Sequence, residues 1–145
     1  MSTIARTLDH RRHATAQDLG LLIGRAVVGV TFVVHGWQKW SGGIGGTQDG
    51  FAAMGVPLAD VAAVALATLE VVGGALLVLG ALTTVVAPLL GLGMLGAAWY
   101  AHRDAFLVSD GGSEFVLVLA AVAFLLALVG PGRWSVDALA ARGRR

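Results

Sequence analysis

An all-α fold, a four-helix transmembrane bundle threaded up-down-up-down with both termini cytoplasmic, is the class this sequence predicts, and three observations predict it. Of 145 residues, 57% are hydrophobic and 13% charged, and mean hydropathy is positive, whereas a soluble domain carries about a quarter charged residues. Four apolar runs, each close to the ~20 residues that cross a bilayer, are separated by short polar or glycine-bearing connections. Basic residues gather beside the two termini.

The elements follow in order. Residues 1–17 form a basic N-terminal segment. The apolar run after it reads as an uncleaved first span and not a signal peptide, because Arg25 interrupts it and no small-residue cleavage site follows. The first helix covers about 18–40 and is closed off by the Gly-rich stretch SGGIGGTQDG, Ser41 to Gly50, which is expected to be a loop because such sequence does not belong in lipid. The second covers about 57–80, with Pro57 in its first turn, where a missing N–H goes unnoticed. Ala81 to Thr84 make a tight turn into a third helix, about 84–101, with Pro88 near enough its start to be tolerated. After HRDAFLVSDGGSE comes a short fourth helix, about 114–130, stopped by Gly130 and Pro131. The transmembrane domain is thus 18–131, and 132–145 is a basic cytoplasmic tail. Gly20/Gly24 and Gly93/Ala97 have the small-xxx-small spacing that brings helix backbones together in lipid.

Orientation comes from Lys and Arg. Arg6, Arg11, Arg12, Arg133, Arg142, Arg144 and Arg145 flank the termini side, against Lys39 and Arg103 on the other, so the termini are expected in the cytoplasm of a cell whose plasma membrane the chain crosses several times. Trp37, Trp40, Trp99 and Tyr100 fall at the outer interface and Trp134 at the inner one, as interfacial rings prefer. The partner these features imply is the lipid bilayer. A net charge of +1 with no basic stripe argues against nucleic acid. The absence of cysteine removes disulfides, thiolate metal sites and thiol-disulfide electron relays.

The polar residues inside the apolar runs carry the functional signal. At about 100° per residue, Arg25, Gly29, Phe32, Gly36 and Lys39 form one stripe, with His35 beside it, and that stripe is expected to face the bundle interior. Glu70 is the only charged residue between Val61 and Ala101. A carboxylate at mid-span costs roughly 2.5 to 3.5 kcal/mol unless paired or protonated, so Glu70 needs a partner. Arg25, His35 and Lys39 are the candidates, and an Arg25–Glu70 pair serves structure as readily as chemistry. His102 and Arg103 end the third helix on the same side as His35 and Lys39, and Glu114 opens the fourth. Glu114 and Asp60, each in a first helical turn, also suit a helix dipole. A pocket is therefore expected in the outer half of the bundle, with Glu70 and His35 as its chemical residues and Lys39, His102 and Arg25 as binding groups. Phe32, Trp37, Trp99 and Tyr100 are its expected apolar walls.

The spacing R-x3-G-x2-F-x2-H-G-x2-K, here Arg25, Gly29, Phe32, His35, Gly36 and Lys39, resembles the first-helix signature of the DoxX family. The resemblance continues through Glu70 with Gly73 and Gly74, the turn LVLGALTT, and the Glu114-Phe115 start of the last helix, covering about residues 18 to 131. It implies a small four-helix membrane protein, named after a quinol-oxidase and thiosulfate:quinone oxidoreductase subunit, some of whose relatives associate with redox or detoxifying partners. The expected function is accordingly a quinone- or quinol-interacting subunit of a membrane redox or detoxification system, working with a partner redox subunit or as a homo-oligomer. A quinone head group offers two carbonyl acceptors and takes up protons on reduction, which suits His35 and Lys39 as donors beside Glu70. A non-enzymatic scaffold or a small lipid- or solute-binding subunit is the alternative. A haem held between His35 and His102 ranks third, since neither lies in a recognisable haem motif. No metal site is expected, and a di-iron oxidase is disfavoured because its paired E-x-x-H motifs are missing.

Overall fold

A computed structural model describes the backbone of residues 3–143 and the side chains of residues 14–143. All regular structure among them is helical: α1 (Thr3–Ser41), α2 (Ile44–Ala53), α3 (Ala59–Leu79), α4 (Thr83–Tyr100), α5 (Glu114–Val129), α6 (Val136–Arg142) and one 3-10 turn, Val108–Asp110. Three helical stretches, Ala14–Ser41, Ala59–Leu79 and Thr83–Tyr100, are long and apolar enough to cross a membrane by length and composition, while α5 is apolar but shorter, at 16 residues. The side chains of Arg6, Arg11 and Arg12, and all of Arg144 and Arg145, lie outside the described residues.

Helix α1 packs on α3, α3 on α4, α4 on α5, and α5 returns to α1. The core is the set of apolar residues those four turn inward, among them Val28, Phe32, Ala67, Leu77, Ala87, Leu90, Met94, Leu119, Ala123 and Leu126. Leucines and valines of the same helices remain exposed on the outside, including Val27, Val30, Val72, Leu92, Val118 and Leu128. An apolar exterior of this kind suits lipid, where the contrast between core and surface polarity that drives soluble folding is lost.

Helices α1 and α3 approach closely because glycine faces backbone. A Cβ at Gly29 would lie 2.7 Å from the Gly74 carbonyl oxygen, and one at Gly36 would lie 2.8 Å from that of Ala67. This seam, and not the Gly20/Gly24 spacing expected above, brings the backbones together: a Cβ at Gly20 would meet nothing within 4 Å, and one at Gly24 only the tip of Leu126. Gly93 does meet a neighbour, Leu66 of α3.

Helix extends beyond the four expected segments: α1 already begins at Thr3, inside the expected N-terminal segment, and two further stretches form helices of their own. The Gly-rich stretch expected as a loop is α2, which leans on α3 and sends the Gln48 amide to the Asp60 carbonyl at 3.1 Å. The C-terminal stretch expected as a tail contains α6, capped by the Ser135 hydroxyl, which accepts from the Ala138 N–H. The α6 residue Asp137 accepts from the Leu82 and Thr83 N–H groups at 2.9 and 3.0 Å, supplying the start of α4 with the cap its own sequence lacks, and donates its own N–H to the Gly80 carbonyl. The same segment is strapped to α1, where Asp18 accepts from the Arg133 N–H at 2.9 Å.

Candidate functional site

The Gly36 position sets up the site. With no side chain there, α3 settles against α1 with Glu70 directly over the glycine, where a Cβ would lie 2.8 Å from that of Glu70. One turn further on, Lys39 reaches across, and its Nζ donates to Glu70 Oε2 at 2.5 Å. The two ends of this ion pair differ in environment: the Glu70 side chain is 2% exposed and that of Lys39 24%. The carboxylate is therefore the buried member and the ammonium the one presented.

That pair sits in the wall of a cavity of about 520 Å³ at the end of the molecule remote from α6. Helices α1, α3, α4 and α5 all contribute, and α2 and the α4–α5 connection close over it. Phe32, Leu66, Met94, Ala97, Val116 and Leu119 make its lining mainly apolar, and His35, Lys39, Glu70 and His102 are its polar points. Its volume lies within the range of small-molecule sites, roughly 300 to 1,000 Å³.

The two histidines are held differently. His102 Nδ1 lies 2.7 Å from the Gly111 carbonyl oxygen. A carbonyl can only accept, so Nδ1 carries a proton and Nε2 of the neutral ring is an acceptor. His35 instead stacks at a 42° tilt on Phe115, with ring centroids 6.0 Å apart. Glu114 accepts from the Val108 N–H at 2.8 Å, which ties the α4–α5 connection to the start of α5 and not to the cavity. Chemically, the cavity offers an ammonium donor, an imidazole acceptor and a second imidazole around an apolar space.

Of the residues expected at the site, Glu70, His35, Lys39, His102, Phe32 and Tyr100 line this cavity. Arg25, Trp37 and Trp99 do not. Arg25 is fully buried toward the opposite end, where Nη2 donates to the Trp134 carbonyl at 2.6 Å and the Asp137 carboxylate supplies counter-charge. It does not pair with Glu70. The Gly36 level of α1, where Glu70 packs, is eleven residues beyond Arg25, about 16 Å along the axis. Trp37 and Trp99 are 63% and 65% exposed and point away from the bundle. Each sits five residues from a buried neighbour, Phe32 or Met94, which is about 140° around the helix. The residues missed include Phe51, Met54 and Val56, which α2 and its exit bring onto the cavity, Phe115, and lining residues of the core helices such as Leu66, Met94 and Leu119. The alternation of glycines with Phe51 and Met54 was the only hint of the first three.

The chain is similar to known membrane proteins. The chain is 30% identical over 128 residues to "Putative oxidoreductase CatD" of Bacillus subtilis (strain 168), covering 88% of this chain and 92% of that protein. It is 34% identical over 131 residues to Inner membrane protein YqjF of Escherichia coli (strain K12), covering 85% and 93%. It is 31% identical over 137 residues to Inner membrane protein YphA of the same organism, covering 90% and 97%. No solved structure matches it significantly. Inner-membrane relatives and three membrane-length apolar helices make this a multi-pass protein of the plasma membrane. The DoxX family model matches residues 20–103, more than half the chain, from within the first apolar helix to just past α4, and the chain belongs to the DoxX family.

Proposed function

We propose that the protein is a quinone- or quinol-interacting subunit of a membrane redox or detoxification system, with the head group held in the cavity beside Lys39 and Glu70. The observation that carries this reading is the combination of a mainly apolar cavity of about 520 Å³ with a single presented ammonium anchored on a buried carboxylate. A flat, uncharged ring with carbonyl acceptors matches that distribution better than a charged substrate does, because the one strong charge in the wall is already balanced. Lys39 Nζ is the donor for a carbonyl oxygen, Glu70 fixes the ammonium and stands ready to exchange a proton, and Phe32, Tyr100 and Phe115 bound the ring. A bound quinone supplies two-electron chemistry. With no cysteine pair to relay electrons, the electron donor or acceptor belongs to a partner subunit. That one relative bears the name oxidoreductase is in keeping with this.

The same proposal sets the chain in the membrane with α1, α3, α4 and α5 all crossing it, the termini in the cytoplasm and the cavity in the outer half. The test is binding of a short-chain quinone to the detergent-purified wild type, His35→Ala and Glu70→Gln, together with solvent extraction of the wild type for a co-purified quinone. Binding by the wild type and a loss of about tenfold in each variant is expected, the effect of one hydrogen bond or ring contact. Equal binding by all three, or none by any, overturns the proposal in favour of a scaffold or solute-binding subunit.

A further inference from the structure

Helix α2 is built unlike the other walls of the cavity. It has no buried residue, yet Phe51 near its end, with Met54 and Val56 just beyond, faces the cavity. Three of its ten residues, Gly45, Gly46 and Gly50, are glycines at which a Cβ would meet nothing within 4 Å. Glycine inside a helix weakens it relative to alanine, and here no close approach of another backbone requires it. This contrasts with Gly29, Gly36 and Gly74, where a Cβ would overlap the facing helix. Glycines in backbone conformations that other residues avoid also flank α2, Gly43 at φ 94° before it and Gly55 at φ 76° just after its Met54 cap. Just past the second of these, Leu58 is held at φ 51°, a strained value for a branched side chain. The side-chain tether shown for α2 itself is the exposed Gln48–Asp60 hydrogen bond.

We propose that α2 is the moving cover of the cavity, unwinding locally between Gly43 and Gly55 to admit a neutral amphiphilic ligand and re-forming to close Phe51 and Met54 onto its apolar face. The ligand's polar edge then lies toward Lys39 and its apolar face toward α2, because every residue that α2 and its exit contribute to the lining is apolar. The glycines keep the closed helix close to its opening threshold, so the cover responds to the contacts a ligand adds. This rests on the reading that the cavity takes a ligand, but its mechanical part is testable without one.

The chain contains no cysteine, so a single introduced thiol reports on its own site. Gly96 lines the cavity, and a Cβ there meets nothing within 4 Å. The experiment measures the rate at which N-ethylmaleimide modifies Gly96→Cys, alone and with Gly45→Ala, Gly46→Ala and Gly50→Ala together, with the exposed Ser109→Cys as control. The triple substitution stiffens α2 and is expected to slow modification of Gly96→Cys by about tenfold or more, from the summed helix preference of three alanines over glycines, with Ser109→Cys unaffected. Phe51→Ala is expected to accelerate it. Equal rates in the glycine and alanine backgrounds overturn the proposal. A short-chain quinone added in excess is expected to protect the Gly96 thiol. If the alanines slow modification but quinone gives no protection, the cover stands and the quinone reading fails.

Discussion

Among the described residues, Lys39 holds the only charge that answers Glu70 within hydrogen-bonding distance, so the two residues stand or fall together. Lys39→Met leaves a carboxylate, 2% exposed, without its partner. The expected loss of stability is about 2 to 4 kcal/mol, at or just below the range for breaking a buried pair because the lysine itself is partly exposed. Replacing both residues by methionine is expected to recover most of that loss, because no charge then needs an answer. Thermal unfolding in detergent of the two single variants and the double variant measures the coupling. The sequence exposed much of this: a lone acidic residue in an apolar run announces its need for a partner. Which of three cations answers it was not visible, because that choice depends on the depth at which α3 meets α1. Gly36 sets that depth, and a glycine's role in close packing shows only when the facing backbone is known.

At the scale of elements, hydropathy and spacing mark α3, α4 and α5 within a few residues, since a membrane-length apolar run has few other uses. They fail for α2 and α6. The glycines of α2 read as loop because intrinsic propensity is against a helix there, and support from α3 prevails. Helix α6 is too short to show a period, although Ser135 followed by Val136, Asp137 and Ala138 carries a usable cap signal. Its value lies in Asp137, which stitches the α3–α4 turn to the C-terminal segment. Asp137→Ala is expected to destabilise the protein by about 1 to 2 kcal/mol, as for loss of a helix cap. Hydrogen exchange is the check, because the Leu82 and Thr83 amides should then exchange faster while those at the centre of α3 do not. Uniform acceleration would show instead that the fold depends globally on this contact.

For the whole molecule, the proposed topology has a weak member. Sixteen helical residues span about 24 Å against a hydrocarbon core of about 30 Å, so α5 crosses only with local thinning of the bilayer or with its flanks drawn in. Its start is well suited to that, since Glu114 is engaged by the Val108 N–H and not left bare. The orientation argument predicts that a reporter fused after Arg145 is active in the cytoplasm, and that one inserted after Ser109 is active outside it. The reverse pattern would invert the cavity with respect to the membrane and place its mouth on the cytoplasmic side.

The hydrogen bond from Arg25 to Trp134 joins positions 109 residues apart. A ribosome adding 5 to 20 residues per second therefore leaves roughly 5 to 20 s between the synthesis of the guanidinium and that of the carbonyl that receives it. Through that interval the first span carries an arginine that burdens insertion by about 2.5 to 3.5 kcal/mol near the centre of a span. The nascent hairpins are consequently unfinished until the segment around Trp134 is made. A chain broken off before Trp134 keeps a buried guanidinium without the Trp134 carbonyl and without the nearby Asp137 carboxylate, so its first helix carries a charge that only a late-made segment can offset.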